Sequence, residues 1–461
     1  MKIKNMKLTM NGLGILSLAS VCLIMASSVH AADLFWSGTG TWDTSTQNWG
    51  SVTGGPYNDS IWSNVTPDSA TFQGTAGTVA LGTDINIENL TVSLAAAGGS
   101  GYSIGEVGEN NKLTFSGTKT LTLSAVTGSN TNQDLSIRAG IAGSPTLNIT
   151  TRNTSGTNNL QLLPGSGVTQ TIGTLNMLNT NAGDKRIILG GQSTGNAVDT
   201  IAWATTGNRL DVVKEGTGNW TINNNLLGSG KSGRLYVEQG TLTLGGTNNF
   251  FSHKIGVSSN RGSAHTASGL DSKLIASGTI TIQDSREYLF VQNKGTLSPG
   301  SGSGPGIATL SVTWNSNSTQ AAGIAQFNMQ TGSIYDWDVA SASSTDIINV
   351  TTGLSDDGNL TLGNMTINIR DAGAATAIGF TDQLTLFTYE FGAQTVTRNL
   401  GSIGFDTSSL GAGWTVGTLA VTDDNAGRIY LTGLAYAPIP EPSTALLGAL
   451  GAIALLRRRR A

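Results

Sequence analysis

The amino-acid sequence predicts an all-β chain wound into a β-solenoid. Charged residues make up 12% of the chain, while 62 of its 461 residues are glycine. The Lys, Glu and Arg that helices carry on their exposed faces are therefore scarce. Thr, Ser, Asn and Gly stand in their place, the residue types of strands and turns. Apolar residues alternate with Thr or Asn in short runs at 121–123, 173–177, 240–244, 278–282, 358–362 and 365–369. A period of two turns one face inward and the other toward water.

Most of these runs open on Gly-Thr or Gly-Asn, where glycine supplies the backbone freedom of a corner. The starts at Gly173, Gly240, Gly278 and Gly295 are spaced as three, two and one units of roughly 17–22 residues, a length that suits one coil of a solenoid. In such a coil Leu242, Leu244, Ile280 and Ile282 stack inward on neighbouring coils, and Thr243 and Thr281 meet water. A β-sandwich would also alternate, but its hairpins lean on Asn-Gly or Asp-Gly turns. Asp357-Gly358 is the one clear case here.

Both ends read as export signals. Lys2, Lys4 and Lys7 precede an apolar stretch over 13–25 and then Val29-His30-Ala31. That is the charged, apolar, small-residue order of a secretory signal peptide, with cleavage expected between Ala31 and Ala32. Cys22 is the only cysteine and lies in this leader. The mature chain is thus expected to lack disulfides, thiolate chemistry and cysteine-bound metal. At the other end Pro438-Ile-Pro-Glu-Pro-Ser443 leads into an apolar run over 444–456 and then Arg457, Arg458, Arg459 and Arg460. As a helix the run would cover only ~20 Å of a ~30 Å hydrocarbon core, and the arginines would stay cytoplasmic.

This tail, with Pro440, Glu441 and Pro442 at its head, resembles the PEP-CTERM sorting signal. The resemblance implies recognition and removal by an exosortase-type membrane protease and transient membrane insertion through a short C-terminal hydrophobic helix. The expected destination is the cell envelope or exopolysaccharide matrix of a Gram-negative-type bacterium. Two inner stretches, Val213-Lys-Glu-Gly-Thr-Gly-Asn-Trp-Thr-Ile222 and Val237-Glu-Gln-Gly-Thr-Leu-Thr-Leu-Gly245, resemble the autotransporter-associated β-strand repeat. Residues 223–234 depart from its usual linking segment, and 295–300, 335–339 and 346–350 look like the C-terminal half of such proteins. This second resemblance implies a right-handed parallel β-helix, surface-displayed and adhesin-like, without enzymatic chemistry. Nothing after Thr381 reads as a translocating membrane β-barrel, so export falls to the leader and the tail.

Four segments are expected: a signal peptide over 1–31, a β-solenoid body over 32–298 with a Trp-rich cap, an acidic C-terminal β region over 299–436 opened by a break at 299–306, and the sorting tail over 437–461. Setting aside three lysines in the leader, and four arginines and one glutamate in the tail, leaves 18 basic and 28 acidic residues. That sign excludes nucleic acid, whose binding rests on phosphate contacts. Extracellular polysaccharide remains as a partner. Trp36, Trp42, Trp49 and Trp62 cluster near the mature N-terminus. They suit either a platform for sugar rings or a plug for the open first coil.

Catalytic groups are sparse. His253 and His265 are the only histidines after the leader and form no triad or metal spacing. Gly230-Lys231-Ser232 lacks the upstream glycine and following helix of a phosphate loop. Asp356-Asp357 and Asp423-Asp424 are neighbours in sequence, which on a strand face opposite sides, so both read as turn residues. Asp336, Asp338 and Asp346 offer oxygen ligands for calcium without a calcium-loop spacing, and solvated acidic surface is the simpler expectation. No catalytic residue, metal ligand or cofactor is assigned. The expected function is a non-enzymatic structural or adhesive protein. The competing expectation is a carbohydrate-active β-helix enzyme, a polysaccharide lyase or hydrolase.

Overall fold

The computed structural model describes residues 31–438 apart from 95–100, 116, 126–132, 152–156, 178–183, 204–209, 229–232, 246–249, 253, 261–262, 283–287, 301, 303, 315–324, 353–357, 375 and 391–396. Beyond 438 it describes 448, 450–453, 455 and 458. Two sheets run the length of the chain. Sheet A has 15 strands and extends from Asp33–Trp36 to Gly404–Ser409. Sheet B has 13 and extends from Gly40–Trp42 to Thr397–Arg398. The chain passes from A to B and back, and each circuit lays a strand parallel to its predecessor in both sheets. This is a parallel β-helix.

A third face is present at both ends of the solenoid, but at different corners. In the first circuits it follows sheet B, as the three strands Ile85–Ile87, Lys112–Phe115 and Gly140–Ala142 of sheet C. From Phe250–Ser252 onward it follows sheet A instead, as the seven-stranded sheet D. Between them the described residues of each circuit form strands of A and B only, and the strands of A at Asn196–Trp203 and Asn219–Gly228 have 8 and 10 residues.

Strand register fixes the length of a circuit. Trp220, Leu242, Leu274, Leu297, Tyr335 and Ile367 hold one position in successive strands of sheet A. Their numbers put 22, 32, 23, 38 and 32 residues in the intervening circuits. The expected unit of 17–22 residues therefore fits the first of these circuits and is too short for the others. The spacing mixed faces: Gly240 and Gly295 open strands of sheet A, Gly278 one of sheet D and Gly358 one of sheet B. Longer circuits carry insertions outside the core, such as the hairpin Ser259–Asn260/Ser263–Ala267.

Inward residues form one core from Leu34 to Leu434. Leu242, Leu244, Ile280 and Ile282 lie in it, fully buried. Thr243 and Thr281, expected to meet water, are buried as well, at 8% and 7% exposure. Thr243 is flanked in its ladder by Thr221 and Ile275, and neighbours ~4.8 Å away on both sides leave little room for water. The boundary expected at 298–299 falls inside the strand Gly295–Pro299, and sheets A and B continue across it. The far end is closed by an antiparallel hairpin, Trp414–Asp423 and Arg428–Tyr436, joined to the edge of sheet D. Leu400, Phe405, Trp414 and Leu419 pack against the last core residues.

Candidate functional site

The repeat-like stretches both lie on the edge where sheet B hands the chain to sheet A. Lys214 ends one strand of B and pairs with Val237, which ends the next; Trp220 and Leu242 are paired likewise on sheet A. The two stretches are thus the same corner in consecutive circuits. Gly216 and Gly240 turn this corner at φ +69° and +72°. A Cβ on either would stand 2.5 Å or 2.4 Å from the carbonyl oxygen of Gly191 or Gly216 in the circuit before. Only glycine accepts both the conformation and the contact.

Inside the corner the Lys214 side chain is fully buried. Its Nζ donates to the carbonyls of Glu215 (2.8 Å), Gly216 (2.7 Å) and, one circuit on, Gln239 (2.9 Å). Burial pushes its ammonium down to about 7. One amine thus serves three corner carbonyls, and this links adjacent circuits.

Outside the corner lies an open groove. One cavity of about 450 Å³ reaches from Glu106 and Arg138 past Gly191 and Gly216; another of about 500 Å³ continues past Asp271 and Lys294. They share Thr217 and Gln239 as lining. Bare glycine backbone forms part of the floor, and Gly269, Leu270 and Asp271, which follow the inserted hairpin, contribute a wall. Acid, amide, guanidinium and ammonium groups alternate along it. Such a lining can hold a hydroxylated polymer but offers no poised acid–base pair.

The aspartates at 336, 338 and 346 are brought together, though not as solvated surface. Asp336 and Asp338 point outward from sheet A beside Arg370, whose Nε and Nη2 contact Asp338 at 2.6 and 2.9 Å and whose Nη1 contacts Asp336 at 3.2 Å. Lys273 adds a 2.5 Å contact to Asp336. The chain crossing from A to D seals them: Gly306 N donates to Asp338 and Ala308 N to Asp346, at 2.6 and 2.7 Å. Asp338 and Asp346 are fully buried. Burial, with the Asp338 charge beside it, pushes the Asp346 carboxyl up to about 8. Among the described residues no group of three or more His, Cys, Asp or Glu is disposed to hold a metal ion.

Trp36, Trp42, Trp49 and Trp62 are all inside, at 3% exposure or less. Trp42 meets Trp62 and Trp49 nearly edge-to-face at centroid distances of 4.6 and 5.0 Å, and Phe72 lies 5.7 Å away. Rings so packed end the core and present no face to a sugar. Asp423 ends a strand and accepts from Tyr389 at 2.6 Å while pairing with Arg398. Asp424 lies in the following turn, where the backbone N–H of Ala426 holds its carboxyl below the usual range. His265 sits in the inserted hairpin. His253, Gly230-Lys231-Ser232 and Asp356-Asp357 lie outside the described residues, as do Pro440, Glu441, Pro442, Arg457, Arg459 and Arg460. Ala31 and Ala32 are exposed, and Arg458 lies in the helical part of the tail. Among the described residues no helix is long and apolar enough to cross a membrane.

Of the residues that build the corner and groove, Lys214, Gly216, Thr217, Gln239 and Gly240 stood in the repeat-like stretches. Arg138, Asp271, Lys294 and Arg370 are scattered singly in sequence, and register alone brings them to the groove or the cluster. No protein-family profile matches the chain. Over an alignment of 154 residues, which takes in 30% of this chain, it is 35% identical to the adhesin BmaC autotransporter of Brucella suis biovar 1 (strain 1330). The match spans 4% of that protein's length. In part of its length, then, this parallel β-helix is similar to an autotransporter adhesin.

Proposed function

We propose that the chain is an exported, non-enzymatic protein of the bacterial cell surface or exopolysaccharide matrix, adhesive or structural in role. The observation that carries this reading is the similarity to an adhesin over a 154-residue alignment in a chain that folds as a parallel β-helix. The leader, cut between Ala31 and Ala32, and the tail, with Pro440, Glu441 and Pro442 read by an exosortase-type protease, account for export from a Gram-negative-type cell. The glycine-floored groove from Glu106 to Lys294 is the surface offered to matrix polysaccharide. Its balanced charges suit a neutral chain of hydroxyls, while the acidic body repels polyanions.

A strain lacking the gene should lose attachment or matrix cohesion, and the full-length gene should restore it. Purified protein incubated with neutral and acidic polysaccharides should yield neither new reducing ends nor unsaturated products. Turnover at catalytic rates would instead identify a carbohydrate-active enzyme. Unchanged attachment in the deletion strain would remove the adhesive role.

A further inference from the structure

We infer that Asp68 is the binding site for the amino terminus that processing creates at Ala32. This rests on the reading of a leader cut between Ala31 and Ala32, and adds what the new terminus does. Asp68 heads the strand Ser69–Gln73 and is 5% exposed. Its Oδ1 accepts from the backbone nitrogen of Ala32 at 2.8 Å, and its Oδ2 from that of Ser63 at 3.0 Å. Among the described residues Asp68 has no ion pair with Lys, Arg or His. A carboxylate this deeply placed ordinarily has a counter-charge, because burying an uncompensated ion is costly.

Processing supplies that charge at the atom already in contact. Water adds across the Ala31–Ala32 peptide bond: the C–N bond breaks, hydroxyl joins the Ala31 carbonyl carbon and the Ala32 nitrogen leaves as an amine. The amine takes a further proton from solvent and is an ammonium below about pH 8. An amide that offers one N–H becomes an ammonium that offers three and a unit positive charge. At 2.8 Å the contact has the length of a charge-assisted hydrogen bond.

The location gives this pair a role. Ala32 O accepts from Ser69 N at 2.8 Å, so the terminus is fixed at the first rung of sheet A, two residues before buried Leu34. Ser63, on the other Asp68 oxygen, follows Trp62 of the aromatic plug. The pair thus clamps the first strand to the loop that carries the plug, and the clamp reaches full strength only once the leader is gone.

The test uses the chain from Ala32 to its native end, with its amine either free or acetylated, each as wild type and as Asp68→Asn. Acetylation keeps one N–H at this atom and removes the charge together with the other two. In the wild type it should speed amide exchange at Ser63 and in the first strand by roughly tenfold, the ratio that one charge-assisted bond commands, and lower the melting temperature read from tryptophan fluorescence. In Asp68→Asn acetylation should change neither. No effect of acetylation on the wild type would overturn the proposal, as would an equal effect in Asp68→Asn. Should that variant not fold, the free and acetylated wild-type chains decide alone. Amino-terminal sequencing of the exported protein separates the two readings. A start elsewhere than Ala32 refutes the processing site itself; a start at Ala32 with no charge effect refutes only the clamp.

Discussion

The first circuits of the solenoid are held by aromatic packing, the later ones by buried charge. Around Trp42 the core ends in indole rings and Phe72 packed on one another. Around Arg370, on the outward side of sheet A, two aspartates meet two cations, and the chain at 306–308 covers Asp338 and the neighbouring Asp346. The two regions should fail differently. A lost ring leaves a void whose cost follows volume and ignores pH and salt. A lost base leaves buried carboxylates facing each other without their counter-charge, and that cost is electrostatic.

The largest effect is expected at the aromatic end. Trp42→Ala should destabilise by about 3–5 kcal/mol, the range for truncating a large buried ring, with the same shift in guanidinium midpoint at pH 5 and pH 8. A marked pH dependence would show that the plug relies on charge. Next comes Arg370→Met, which strands Asp336 and Asp338 with Lys273 alone. Its cost in guanidinium unfolding should be about 3 kcal/mol near neutral pH, the lower end for a broken buried pair. A loss under about 1 kcal/mol would show that the pair contributes no more than an exposed one.

The third effect is a slope. Burial pushes the Asp346 carboxyl up to about 8 from an ordinary value of 3.8. Across that window the folded chain binds a proton that the unfolded chain has released, so stability falls as pH rises from about 4 to about 8. Asp346→Asn should flatten this part of the stability–pH curve and leave the response of Trp42→Ala unchanged. A variant curve that parallels the wild type would remove Asp346 from the account.

The alternation of apolar and polar residues made the all-β fold and the inward side of 240–244 legible, because period two follows directly from strand geometry. The circuit length was not legible. Runs with the same Gly-Thr opening serve three faces, and insertions such as the hairpin after Ser258 cost little where they lie outside the core. Exposure of Thr243 failed for a related reason: a side chain in a ladder is covered by residues 22 and 32 positions away. The Arg370–Asp338 pair, 32 residues apart, is equally invisible without register. Lys214 was visible as part of a motif, but its three carbonyl partners were not.

Stacking also sets a distance. Fourteen strands of sheet A lie in line from Asp33–Trp36 to Gly404–Ser409, and at ~4.8 Å each they measure on the order of 60 Å. Ala32 leaves from one end of that stack and Pro438 from the other. The stack therefore has a set length, and a support joined at Pro438 would hold the tryptophan end about six nanometres clear. Any surface along the edge between sheets B and A would then be carried at a height fixed by how many circuits lie beneath it.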